Sequence, residues 1–230
     1  MGRGKSNVRR ALILLHVLIL LLVGSMAGAG GEISNVMEGI NRRYGHLKGL
    51  SLTYTREVIT RSMSMLGNQA RGDLASGKIH FKPPYSLRLE QEKPQSEIIV
   101  TNGDTLWWYI PQKKRVYRYP SNKFGRELKL LSDIFSGLAK VEERFRVRLS
   151  APNEGGEYQL ELFPHPPWEE IDHIVLTLAN GYDIRVVEIY NQLGGITRFT
   201  LSDLLVQEKF EKGFFQFFLP EDVQLVEEGG

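Results

Sequence analysis

Residues 72–79 read GDLASGKI, and Gly72, Gly77 and Lys78 match the phosphate-binding loop G-x-x-x-x-G-K-[ST] at every position but the last. That chemistry needs a buried strand before the loop, a helix after it whose N–H groups cradle phosphate, and a hydroxyl for magnesium. The preceding residues, MLGNQAR, are polar and broken by glycine, and Ile79 cannot coordinate a metal. Pro83 and Pro84 follow too soon for a helix to form. The stretch therefore predicts a glycine-rich turn entering a β-strand. A second candidate, WEEIDH, clusters Glu169, Glu170, Asp172 and His173. Strand alternation would send those groups to opposite faces and into water, which does not build a metal site. The other histidines beyond the N-terminal segment, His46, His80 and His165, form no His-x-x-x-His or H-E-x-x-H pair. No G-x-S-x-G elbow or outstanding carboxylate pair is present. The residues thus predict neither an enzyme nor a protein with a metal or cofactor.

The N-terminus gives a cellular context. MGRGKSNVRR carries Arg3, Lys5, Arg9 and Arg10 without an acid, ALILLHVLILLLV runs apolar apart from His16, and GSMAGAGG follows. Charged, apolar and small-residue regions in that order predict a secretory signal over residues 1–29, cleaved after Ala27 or Ala29. A thirteen-residue apolar core is short of the roughly twenty needed for a membrane span. An oxidising, ATP-poor compartment follows. With no cysteine there is neither a disulfide nor an acylation site, so stability must come from the core. Removing the four cations leaves 25 Lys and Arg against 27 Asp and Glu, a net charge near −2 that points away from nucleic acid.

Residues 30–230 read as one domain without repeats or linkers. Residues 32–47 place Ile33, Val36, Met37, Ile40 and Tyr44 at helical spacing, ending near Gly45. Strand patterns follow at LSLTYTREVIT, around 79–81, YSLRLE, EIIV, LWWYIP and VYRY, with a hairpin signal at Asn102-Gly103. A second helix is predicted over 126–138, with Leu128, Leu131, Phe135 and Leu138 in a stripe widened by Leu130 and Ile134, and Gly137 at its end. FRVRL, EYQLELF, IDHIVLTLA, YDIRVVEIY, ITRFTLSDLLVQ and FFQFFLP resume the strand pattern, with a second Asn-Gly turn at Asn180-Gly181. About eleven strands at this spacing predict one antiparallel sheet, curled or closed.

Large apolar side chains are in surplus. Trp107, Trp108, Tyr109 and Ile110 are apolar on both faces of one short strand, as are Phe214, Phe215, Phe217 and Phe218. A sheet with one wet face alternates. Either helices cover the second face, or the sheet curls around an apolar cavity with the 126–138 helix as its lid. The candidate lining of that cavity is Leu87, Leu89, Trp107, Tyr109, Leu128, Leu131, Ile134, Phe135, Leu138, Phe145, Val147, Leu160, Leu176, Phe215 and Phe217.

In order and spacing these pieces resemble the LolA family of periplasmic lipoprotein carriers. The likeness rests on the N-terminal amphipathic helix and the Gly77–Lys82–Pro83 strand. It continues through Arg88 in the following strand and the Val100-x-Asn102-Gly103…Leu106-Trp107-x-Tyr109-x-Pro111 hairpin. The leucine-rich helix and Phe215-x-Phe217…Pro220 complete it. The resemblance implies a half-open antiparallel β-barrel of about eleven strands lidded by helices, mainly β, acting as a chaperone that binds acyl chains. It implies as partners acylated lipoproteins, an inner-membrane lipoprotein-releasing ABC transporter and an outer-membrane acceptor such as LolB. The protein would be a periplasmic monomer. The family's arginine before the corner proline is Lys82 here, a point charge without a guanidinium fork, and Lys82 with Arg88 would gate the lid. Relatives of the same fold sense lipoproteins or carry other lipids. A sensor would need an anchor or second domain, and none follows Glu227-Glu228-Gly229-Gly230, so a carrier is the expectation.

The processing expectation has a direct check. Sequencing the N-terminus of the exported protein should give a start at or near Gly28 or Gly30, and recovery of residues 1–27 in the membrane fraction would contradict it.

Overall fold

The computed structural model describes residues 26–65, 72–120, 126–138 and 141–227. Of the expected signal, residues 1–25 fall outside the described residues. Among the described residues, no helix is long and apolar enough to cross a membrane. Helix α1 (Met26–Tyr44) starts earlier than its amphipathic stripe predicts. A short α2 (Arg61–Met65) was not legible in the sequence, and α3 (Arg126–Phe135) stands where the second helix was expected.

Twelve strands form one sheet: β1 (Leu50–Ile59), β2 (Asp73–Lys82), β3 (Ser86–Lys93), β4 (Glu97–Thr101), β5 (Thr105–Ile110), β6 (Arg115–Pro120), β7 (Phe145–Leu149), β8 (Tyr158–Pro164), β9 (Ile171–Leu178), β10 (Ile184–Asn191), β11 (Ile196–Val206) and β12 (Gln224–Glu227). Two meanders, β1 to β6 and β7 to β11, are fused by the antiparallel β1–β11 pair. The order runs β12-β6-β5-β4-β3-β2-β1-β11-β10-β9-β8-β7, so the sheet is open, with β12 and β7 at its edges. The half-open barrel class is met. The strand set differs at one place: the twelfth strand is Gln224–Glu227, parallel to β6, and the FFQFFLP stretch is irregular turn.

All of GDLASGKI but Gly72 lies inside β2, which pairs with β1 from Asp73 to Phe81 and with β3 from Ser76 to Lys82. Gly77 sits where the β2–β3 register shifts, and a Cβ there would come within 1.9 Å of the Glu90 carbonyl oxygen. Its glycine answers to sheet packing, and no helix follows to hold a phosphate.

The sheet's inner face carries the core. Leu50, Leu52 and Tyr54 of β1, Ile79 and Phe81 of β2, and Leu87 and Leu89 of β3 point inward. Leu160, Leu162, Ile174, Leu176, Val187 and Phe199 continue that surface across the other half. Helix α1 buries Val36, Ile40 and Tyr44 against the second half. The Tyr44 hydroxyl accepts the Ile184 N–H at 2.9 Å, and Arg43 binds Asp183 at 2.6 Å. Helix α3 lies over the first half, with Phe135 against Phe81 at 5.9 Å between ring centroids.

The two helices meet at their C-termini. Helix α3 closes with Gly137 N–H bonded to Ile134 C=O and Leu138 N–H bonded to Asp133 C=O, each at 3.0 Å, a left-handed glycine stop. Gly137 has φ +81°, and a Cβ on it would lie 2.9 Å from the Gly45 nitrogen and 3.1 Å from Asn41 Cα. Both conformation and contact exclude a side chain. Gly137→Ala should cost at least the roughly 1–2 kcal/mol of a left-handed non-glycine residue, measured by denaturant unfolding. An unchanged midpoint would show that the α1–α3 contact does not constrain α3.

Candidate functional site

Strand alternation divides the candidate residues between two faces, and the ladder registers say which is which. Leu87 and Leu89 face inward; opposite them stand Thr101 and Ile99 of β4, and opposite those Leu106 and Trp108 of β5. The inner row continues into Tyr119 and Tyr117 of β6. The intervening residues Arg88, Val100, Trp107 and Arg118 therefore point outward.

On the inner face, Leu130, Leu131, Ile134 and Phe135 are fully buried against the sheet, with Leu138 beside them. Ser132 is also buried and donates to the Leu128 carbonyl at 3.0 Å, so it places no unmet hydrogen bond in this layer. A cavity of about 150 Å³ remains by the N-terminal part of α3, lined in part by Tyr85, Thr101, Leu106, Leu128 and Ser132. At about 30 Å³ per water-sized group, that is room for about five such groups. The expected large empty volume is instead occupied by the side chains of α3. Polar groups fasten the helix on its outer side: Asp133 pairs with Arg144, and Lys129 lies 4.9 Å from the Tyr85 ring centroid.

Leu87, Leu89, Leu128, Leu131, Ile134, Phe135, Leu138, Phe145, Val147, Leu160 and Leu176 share this inner layer. Trp107, Tyr109, Phe215 and Phe217 do not, which corrects their assignment to the same cavity. Trp107 stacks on Phe217 at 5.3 Å and Tyr109 approaches it at 6.0 Å, on the outside of the sheet. The physical reason is the strand's phase: pairing through β4 puts Leu106 and Trp108 in line with Leu87 and Leu89, which turns Trp107 and Tyr109 to the other face. The expected gating pair is displaced as well. Arg88 faces outward, binding Glu90 at 2.6 Å, the Phe214 carbonyl at 3.3 Å and the Phe214 ring at 5.2 Å. Lys82 is exposed and lines the same outer region. Neither cation touches α3.

The outer region is a cleft of about 650 Å³ between strands β3 to β5 and residues 210–218, lined by Lys82, Val100, Trp107, Phe214, Phe215 and Phe217 among others. It accounts for the surplus of aromatics. The second apolar face of LWWYIP is covered by the chain's own C-terminal segment, neither by a helix nor by a ligand cavity under α3.

Sequence reasoning missed the polar groups of the inner face. Tyr54 and Arg56, two residues apart on β1, both face inward, where their cross-strand partners on β11 are Leu201 and Phe199. The Tyr54 hydroxyl and the Arg56 Nε are buried without a hydrogen-bond partner, as is Arg115 Nε on β6. Burial pushes the Tyr54 hydroxyl up to about 12. Arg56 reaches Gln91 Oε1 at 3.5 Å, while Glu97 is committed to Gln95 Nε2 at 2.6 Å and Trp108 Nε1 at 2.9 Å. A polar residue in phase with Leu50, Leu52 and Tyr54 was the available signal. Among the described residues, no group of three or more His, Asp or Glu is arranged to hold a metal. His173 instead stacks between Tyr190 and Phe163, at 4.2 and 5.3 Å.

An open antiparallel sheet with an apolar inner wall roofed by helices defines a half-barrel, and the comparisons supply its family. Residues 64–218 match the family described as outer membrane lipoprotein carrier protein LolA. The match spans well over half of the chain, which belongs to the LolA family. The outer-membrane lipoprotein carrier protein of Alkalilimnicola ehrlichii is 25% identical over 215 residues, covering 93% of this chain and 94% of that one. The protein of the same description from Azotobacter vinelandii is 23% identical over 167 residues, covering 72% and 78%. Among solved structures, an uncharacterized conserved protein from Thermus thermophilus superposes with a TM-score of 0.53 at 10% identity. It covers 85% of this chain and 99% of its own, which shows a shared fold.

His80 lies beside Phe210 and Phe214 of the segment that lines the outer cleft. His80 contacts Ser51 Oγ at 2.7 Å and Glu90 Oε2 at 3.7 Å, with the edge of Phe214 at 5.0 Å and Phe210 at 6.4 Å. Burial, aided by Arg88 and Lys78, lowers its pKa despite the opposing pull of Glu90. A depressed folded-state value means that stability present above the unfolded pKa of about 6.5 is lost as pH falls through the folded one. The melting temperature should therefore fall on acidification below about pH 6.5 more steeply in the wild type than in His80→Gln. Parallel slopes would remove His80 from the account.

Proposed function

We propose that this chain is a periplasmic, non-enzymatic carrier that holds lipoprotein acyl chains against the inner face of its sheet after α3 moves aside. It would take cargo from an inner-membrane lipoprotein-releasing ABC transporter and pass it to an outer-membrane acceptor such as LolB, working as a monomer. Family membership supports the cargo class. The observation that carries the mechanism is α3 itself, which fills an apolar wall with side chains and is fastened outside by Asp133 with Arg144.

Magnitudes favour exchange over simple filling. Four fully buried side chains at about 2 kcal/mol each hold α3 by roughly 8 kcal/mol, and about ten methylenes at about 0.8 kcal/mol apiece offset that. One acyl chain therefore roughly balances lid closure, and two or three exceed it. Multiply acylated cargo opens the lid, and release follows when an acceptor competes for the chains. Binding is selected by the difference between the two states.

Mass spectrometry of the protein purified from periplasm should find a triacylated polypeptide. Delipidated protein should bind a triacylated cysteinyl peptide more tightly than a singly acylated one. Phe135→Ala should lose about 3–5 kcal/mol of stability, as a core truncation does, yet associate faster with the triacylated peptide because the competing helix is held less firmly. If Phe135→Ala unfolds the protein and the wild type binds no acylated peptide, α3 is plain core and the carrier reading fails.

A further inference from the structure

The inner face carries more than an acyl-chain wall. Tyr54 and Arg56 stand on the same side of β1 as Leu50 and Leu52, in a layer that is otherwise apolar over most of its area. The Tyr54 side chain is 1% exposed and its ring packs near Phe199 at 6.1 Å between centroids, yet its hydroxyl meets no partner. Arg56 Nε is likewise buried and unmet. Its one hydrogen bond among the described residues runs from Nη2 to Gln91 Oε1 at 3.5 Å, long for a charged donor.

Buried donors without acceptors carry a desolvation cost, and native structures seldom leave them so without a use. Nearby acceptors are already committed. Gln91 gives its Nε2 to the Gln95 carbonyl, and both Glu97 oxygens are taken by Gln95 and Trp108. Among the described residues, no carboxylate lies within ion-pair distance of Arg56. What remains is a pair of donors beside methylene-compatible side chains: Leu52 on the same strand, with Ile79 and Leu89 on β2 and β3, continues the wall.

From this geometry we infer that Tyr54 and Arg56 form a docking point for the carbonyl oxygens at which acyl chains join their headgroup, the ester carbonyls of a diacylglyceryl group. The inference rests on the carrier reading and adds to it the polar half of cargo recognition. An ester carbonyl is an acceptor only, matching two donors with no acceptor of their own. Its alkyl chain continues directly into the apolar layer, so one ligand meets both halves of the site. The charges acting on Tyr54 are mixed, Arg56 foremost with Glu97 and Glu92 opposing it, so a free phosphate serves as the competitor in the test.

Two probes separate the polar contact from the apolar one: a peptide whose N-terminal cysteine carries an ester-linked diacylglyceryl group, and its ether-linked dialkyl analogue, which lacks those carbonyls. With delipidated full-length protein, Tyr54→Phe and Arg56→Gln should each weaken the ester-linked peptide on the order of tenfold. Neither should change affinity for the ether-linked analogue. The melting temperature of Tyr54→Phe should equal or exceed that of the wild type, because the lost hydroxyl had no partner. Equal losses for both probes, an unchanged ester-linked affinity, or competition by inorganic phosphate would each overturn the docking point while leaving the carrier reading standing. Failure of the wild type to bind either probe would overturn both.

Discussion

A single open sheet has one physical problem that governs everything else here: its apolar inner face has no second sheet to bury it. Leu52, Ile79, Phe81, Leu87 and Leu89 must be covered by something. The chain solves this with helices in two ways. Helix α1 is tied by long-range polar bonds as well as packing, through Tyr44 to the Ile184 amide and Arg43 to Asp183. Helix α3 is held on the inside by packing, with its ion pair to Arg144 and the Lys129–Tyr85 contact lying outside. Packing is the one attachment that an alkyl chain can reproduce, since dispersion and water exclusion do not distinguish a leucine from a methylene run. The roof over β2 and β3 is therefore the one that the proposed carrier reading takes as exchangeable.

The outer face meets the same constraint differently. Around β3 to β5 it is aromatic, and the segment after β11 folds across it. Phe217 lies on Trp107, and Phe214 on His80 and Arg88. Beyond this segment the chain returns as β12 beside β6, so the cover is anchored at both ends by sheet hydrogen bonds. A cover fixed in this way keeps β5 and β6 from presenting a bare aromatic surface to other chains.

Much of this was legible in the sequence because periodicity reports burial. The first eleven strands, both principal helices, the two Asn-Gly turns and the Gly137 stop follow from period two, period 3.6 and turn chemistry. What failed was the assignment of faces. A strand apolar on both sides, such as LWWYIP, gives no phase, so the sequence reading puts Trp107 and Tyr109 in the cavity where the structure has Leu106 and Trp108. The register that separates them comes from pairing with EIIV and, through it, with YSLRLE, a non-local fact. FFQFFLP misled for the same reason: it has the composition of a strand, but Gly213 at φ +86° and the turn from Glu211 to Phe214 break any ladder. Arg56 is the harder reading, because an arginine in an alternating strand normally marks the wet side, although its phase with Leu52 and Tyr54 already points it inward and the β11 register agrees.

Placing Arg88 and Lys82 outside changes how motion in this molecule is controlled. A cation on the far side of the sheet cannot bind α3, so any influence on the lid must pass through β2 and β3. That route exists. His80 and Arg88 alternate with Phe81, Leu87 and Leu89 along these two strands, and Phe81 is the residue that Phe135 packs against. His80 and Phe81 are neighbours on β2 that face opposite sides, one against Phe214 of the C-terminal segment and the other against Phe135 of α3. The fixed cover outside and the exchangeable cover inside thus share one pair of strands.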